Sequence, residues 1–138
     1  MGLHGLRAGY ESEPILPDDP WRWRWAMAER LVAGLDGARY GVVACYLIGS
    51  AKNACAGPAS DLDLLIHVRG SASQHEALRH YCAGWSRLLG LVNHLYTGAG
   101  TSELVDVHLV TDEDIRAGDS FAVKIGAVTD GAREIPLR

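Results

Sequence analysis

The stretch Ile48–Val68, "IGSAKNACAGPASDLDLLIHV", decides how the rest of the chain is read. Its apolar run, Leu62 to Val68, carries Asp61 and Asp63 at its mouth, two residues apart. Aspartate is depleted in strands, and neighbouring carboxylates repel each other. In an extended chain, residues two apart face the same way, with Cα atoms roughly 6.5 Å apart. Asp61 and Asp63 therefore project from one face, while Leu62 and Leu64 occupy the other. A turn-and-cap role after Gly57-Pro58 accounts for Asp61 but not for Asp63, which lies inside the apolar run.

Working outward, Tyr40 to Ile48 is apolar and β-rich, a mostly buried strand broken by Gly49-Ser50. Ala51 to Cys55 fits one helical turn, and Gly57-Pro58 closes the connection. Upstream, Asp18-Asp19-Pro20 is a helix start, acidic cap then proline. That helix is predicted over Pro20–Leu35, ending near Gly37. Residues 1–17 have no period and are expected to form an extended arm, leaving 18–138 as one domain.

Downstream, Ser71 or Ser73 can cap a long helix to about Tyr96. Leu78, Tyr81, Trp85, Leu88, Leu89 and Val92 share its apolar face, and Gly98 and Gly100 end it. Leu104 to Val110 is a third strand, and Thr111-Asp112 caps a short helix through Arg116. The tail, Ser120 to Arg138, reads equally as helix or final strand. The pattern predicts an α+β fold, an α/β sandwich with a mixed sheet of three or more strands packed against helices.

A third acid recurs in "LVDVHLV", where Asp106 is flanked by Val105 and Val107, which point the opposite way. If this strand neighbours the second, three carboxylates converge. Hard divalent cations, above all Mg2+, neutralise such a cluster, and two ions can clamp the oxygens of a phosphoryl or nucleotidyl transfer. Gly49 and Ser50 follow a strand and expose backbone N–H groups and a hydroxyl that suit nucleotide phosphates.

Gly-Ser, nine residues, "SDLDLL" and then "VDVHLV" resemble the DNA polymerase beta-type nucleotidyltransferase superfamily, most of all its minimal nucleotidyltransferases. The resemblance spans about Val42 to Val110. It implies that Gly49, Ser50, Lys52 and Ser60 bind nucleotide, that Asp61 and Asp63 hold two Mg2+ ions (Mn2+ as substitute), and that Asp106 completes the metal site and activates an acceptor hydroxyl. Lys52, Asn53 and Ala54 stand where minimal members often carry Ala-Arg-Gly, so the basic group lies one position early. The implied reaction moves a nucleoside monophosphate, AMP from ATP first, to a small molecule, an RNA end or a protein. The resemblance also implies a HEPN-type protein partner and leaves room for a homo-oligomer. The alternative is a non-catalytic, antitoxin-like regulatory module of the same fold.

The other features are weaker. His67 lies roughly 13 Å along the strand from Asp63 and reads as structural. His108 shares a face with Asp106, as a packing residue first and a secondary contact second. The histidines and three cysteines show no zinc spacing. "WRWRW", Trp21 to Trp25, reads as packing plus an interface, and Lys124 as a solvated or paired lysine. A net charge of −4 gives no basic footprint, which makes nucleic acid the less favoured partner. With 48% apolar residues, no membrane-spanning run and an odd count of three cysteines, the expected setting is the cytoplasm, with reduced thiols.

Overall fold

The computed structural model describes residues 19–100, 103–127 and 131–137. The arm expected over 1–17 lies outside them. A mixed sheet runs in the order β3-β2-β1-β4, with β1 Val42–Ile48, β2 Leu62–Val68, β3 Val105–Val110 and β4 Arg133–Ile135. β1 pairs antiparallel with both β2 and β4, and β2 pairs parallel with β3. The α+β class expected from the sequence is therefore the fold.

Helix α1, Pro20–Ala33, starts as its proline requires, but Asp19 gives no side-chain cap and instead pairs with Arg22 at 3.3 Å. It stops at Gly34, short of the predicted end. The Tyr81 hydroxyl donates to the Leu31 carbonyl at 2.7 Å, and a Cβ on Gly34 would lie 2.9 Å from that hydroxyl. A short turn, α2 Gly37–Tyr40, follows, capped by the Asp36 side chain. Gly49 then opens the four-residue helix α3, Gly49–Lys52, two residues earlier than expected.

The crossover between the parallel strands β2 and β3 is helix α4, Ala72–Thr97. Ser71 and Gln74 form a reciprocal capping box, a device contributing about 1 kcal/mol. Gly98, with φ +77°, ends the helix. Thr111 and Asp114 cap α5, Asp112–Ala117, in the same reciprocal way. Among the described residues, the ambiguous tail forms a 3-10 turn, Ala122–Lys124, and the edge strand β4.

The main core lies between the helices and one sheet face. Leu62, Leu64, Ile66 and Val68 of β2 meet Trp23, Met27 and Leu31 of α1 and Leu78, Cys82 and Leu89 of α4. Each fully buried aliphatic side chain there stabilises the fold by about 2 kcal/mol relative to exposure. The opposite face carries a smaller cluster, Ile48, Leu65, Val110 and Ala122, with Phe121 and Ile115 against it. β2 is thus covered on both faces, which explains its nearly continuous apolar run. Only Asp63 and His67 interrupt its burial. One helix residue departs from expectation: Leu88, read as facing the core, is more than half exposed.

Candidate metal and nucleotide site

The parallel register places Asp63 of β2 directly opposite Asp106 of β3. Paired residues on adjacent strands share a face, with backbones about 4.8 Å apart, so the two carboxylates stand side by side. The condition on which the sequence reading rested, that the third strand neighbours the second, is met. Two like charges about 4 Å apart repel by about 4 kcal/mol at an effective dielectric of about 20. That exceeds the contribution of a helix cap, so the pair does not serve stability.

β1 supplies the third element. Ile48 pairs with Asp63, and the chain then turns at Gly49 with φ +75°. A Cβ on Gly49 would sit 2.5 Å from the Asp63 Oδ2 atom. Glycine is required twice over, for the left-handed backbone and for the close approach to the carboxylate. The Gly49 backbone is thereby held against Asp63.

A fourth residue joins through strand alternation. His108, two residues after Asp106, has its Nε2 atom 3.3 Å from Asp106 Oδ2. Its ring stacks on Phe121, with centroids 3.9 Å apart and planes 18° apart. One ligand atom from each of Asp63, Asp106 and His108 lies within 4.8 Å of the others. Asp61 stands outside that group: it is exposed and immediately precedes β2. Its charge still reaches the site. Asp63 titrates above the ordinary carboxylate range, first because it is buried, then because Asp106 and Asp61 repel its charge, with His108 opposing. A divalent cation would relieve all three acids together.

The remaining sequence candidates take different places. Ser60 Oγ accepts the Gly57 N–H at 2.9 Å, closing the turn before Asp61. Lys52 donates to the Gly131 carbonyl at 2.9 Å, tying α3 to the segment before β4. Of the predicted nucleotide-binding residues, Gly49 adjoins the Asp63 carboxylate and Ser50 follows it in α3, while Lys52 and Ser60 hydrogen-bond to backbone elsewhere.

Arg24 was missed. Its guanidinium is wholly buried and donates to the Ser60 carbonyl at 3.0 Å, the Pro58 and Pro20 carbonyls at 3.2 Å, and Asn93 Oδ1 at 3.4 Å. Asn93 also donates to the Pro58 carbonyl at 2.8 Å. Together they fix the loop that delivers Asp61. Burial lowers the Arg24 pKa, and the negative charge of Asp61 opposes that shift. The signal was present within "WRWRW": Arg24, Ala28 and Leu31 follow one helical face, so a cation occupies a core-facing position. Trp23 is buried beside it, and Trp21 and Trp25 are half-buried in an edge-to-face pair, their rings 6.4 Å apart.

Compared with known proteins, the chain matches no family model, no curated protein and no solved structure. Among the described residues, no helix is long and apolar enough to cross a membrane.

Proposed function

We propose that the protein is a divalent-cation-dependent nucleotidyltransferase that moves AMP from ATP to a hydroxyl on a small molecule or protein. One observation carries the reading: Asp63 stands in register with Asp106 on parallel strands, with the Gly49 backbone pressed against Asp63. Divalent cations, Mg2+ or Mn2+, held by Asp63 and Asp106 with Asp61 at the rim, would offset the negative charge of the triphosphate. The residues fit such ions, because mutually repelling oxygen donors converge there.

In this reading Gly49 lets the triphosphate lie close to the backbone, and Ser50 offers its N–H and hydroxyl. The acceptor oxygen attacks the α-phosphorus while the bond to the bridging oxygen breaks and pyrophosphate leaves. The acceptor's proton passes to Asp106, whose side chain is 54% exposed and so within reach of an incoming group. Arg24 holds Asp61 in place from beneath without touching substrate. The unpaired Cys45, Cys55 and Cys82 suit a reducing setting such as the cytoplasm.

A second reading, the non-catalytic module acting through a HEPN-type partner, draws on one observation. Leu88, Leu91, Leu95 and Tyr96 of α4 are each more than half exposed and give an apolar stripe for a partner to cover. Incubation with α-labelled ATP, Mg2+ and cell extract separates the two. The enzyme reading expects a labelled product that the Asp63→Asn variant does not form. Labelling equal in wild type and variant, or no labelling with any nucleotide, would sink it in favour of the module.

A further inference from the structure

Resting on the Asp63–Asp106 pair as a cation site, we infer that His108 is its third protein ligand. This makes one cation position selective for a first-row transition-metal ion, Mn2+ or Co2+, over Mg2+. Three observations converge. The carboxylates and the imidazole present ligand atoms within 4.8 Å of one another. Donors around one ion at about 2.1 Å sit roughly 3 to 4.2 Å apart, so small side-chain rotations close the set. The imidazole is also already aimed, with Nε2 toward Asp106 and the ring face stacked on Phe121.

Ligand chemistry decides the metal. Mg2+ prefers oxygen and sheds its water reluctantly, whereas the affinity of a mixed nitrogen and oxygen site climbs along the first transition row from Mn2+ through Co2+. The tail explains how the ring is held. Phe121 belongs to the cluster that covers this sheet face with Ile48, Leu65 and Val110, and His108 lies against it. Three donors leave coordination positions open, which suits an ion that must also meet phosphate oxygens.

The test uses the full chain and Mn2+ alone. Pulsed electron paramagnetic resonance of the wild type should show coupling to a directly bonded histidine nitrogen. In His108→Phe, which keeps an aromatic ring over Phe121, that coupling should vanish. Mn2+ affinity there should fall roughly ten-fold or more while Mg2+ affinity stays within about two-fold. Bound Mn2+ without nitrogen coupling in the wild type would overturn the role of His108 and leave the carboxylate site standing. No Mn2+ binding at all, or undiminished binding in an Asp63→Asn, Asp106→Asn double variant, would overturn the cation site itself.

Discussion

The two ends of β2 each hold acidic groups, and the chain treats them in opposite ways. Beyond its C-terminal end, Asp112 accepts from Arg69 Nε at 2.9 Å and lies 2.6 Å from His67 Nε2. Those hydrogen bonds, from His67 first and then Arg69, hold its carboxyl below the usual range. At the N-terminal end, Asp63 is half-buried against Asp106 and Asp61, and its carboxyl is pushed up. One carboxylate receives its cations from the chain and acts as a fastener between β2 and α5. The other is packed among like charges with a glycine backbone against it, the arrangement on which the proposed cation site rests. Composition does not separate these ends, since both offer aspartate and histidine; the arrangement does.

The largest difference that the proposed function implies between the two ends is in catalysis. Asp106→Asn should lower nucleotidyl transfer by about 10²- to 10³-fold, as expected when a preorganised charged group is lost. Asp112→Asn should leave it within about two-fold, because its partners are structural. Initial rates of label transfer at saturating ATP measure both. Equal losses in the two variants would erase the distinction between the ends.

Next in size is the close approach at Gly49. Gly49→Ala places a methyl 2.5 Å from Asp63 Oδ2 and forces alanine to φ +75°. The backbone strain alone is about 1 kcal/mol, and the collision should bring the loss to about 2 kcal/mol. Combining it with Asp63→Ala removes the collision but not the strain. A denaturant double-mutant cycle should therefore return a coupling of about 1 kcal/mol. Simple additivity would mean that Gly49 serves only the turn.

How much of this was legible beforehand follows from the range of each interaction. The two-residue alternation of β2 and β3 put Asp63 and Asp106 on predictable faces, and the glycine-serine break marked the end of β1. Both signals are local. His108 gained a defined place only through the parallel register of β3 and the return of Phe121 from the tail, contacts that no window of sequence contains. Arg24 was hidden by its tryptophan neighbours, although its helical spacing pointed inward. β4, three residues with Arg133 and Glu134 exposed, is too short to show a period and forms only because the edge of β1 is there to pair with. Leu88 satisfies a helical period as well as Leu89 does, yet the sheet reaches only one of them.

A smaller effect should appear in stability at the acidic pair. Because the folded pKa of Asp63 is raised, the native state holds its proton longer than the unfolded chain does. Stability then falls as pH rises from the ordinary carboxylate value through the raised one, and the full penalty persists above it. Asp63→Asn, measured without divalent metal, should raise Tm by a few degrees near neutral pH. The gain should close as the buffer is taken below the unfolded pKa. A variant less stable than the wild type at neutral pH would show that the carboxylate is already satisfied within the chain.

The smallest effect carries the opposite sign. The folded pKa of Asp112 is depressed, so its contribution is present above the unfolded carboxylate pKa and is lost as pH falls through the folded one. The carboxylate is partly exposed, so solvent and salt weaken its pairing with His67 and Arg69. Asp112→Asn should therefore lower Tm slightly at neutral pH and low salt. The difference should shrink with added salt and disappear in acid. Plotted against pH, the Tm differences of Asp63→Asn and Asp112→Asn should lie on opposite sides of zero and converge toward it as both carboxyls become protonated. Curves of the same sign would mean that the two ends are electrostatically alike, and the case for an external cation at Asp63 would lose its physical basis.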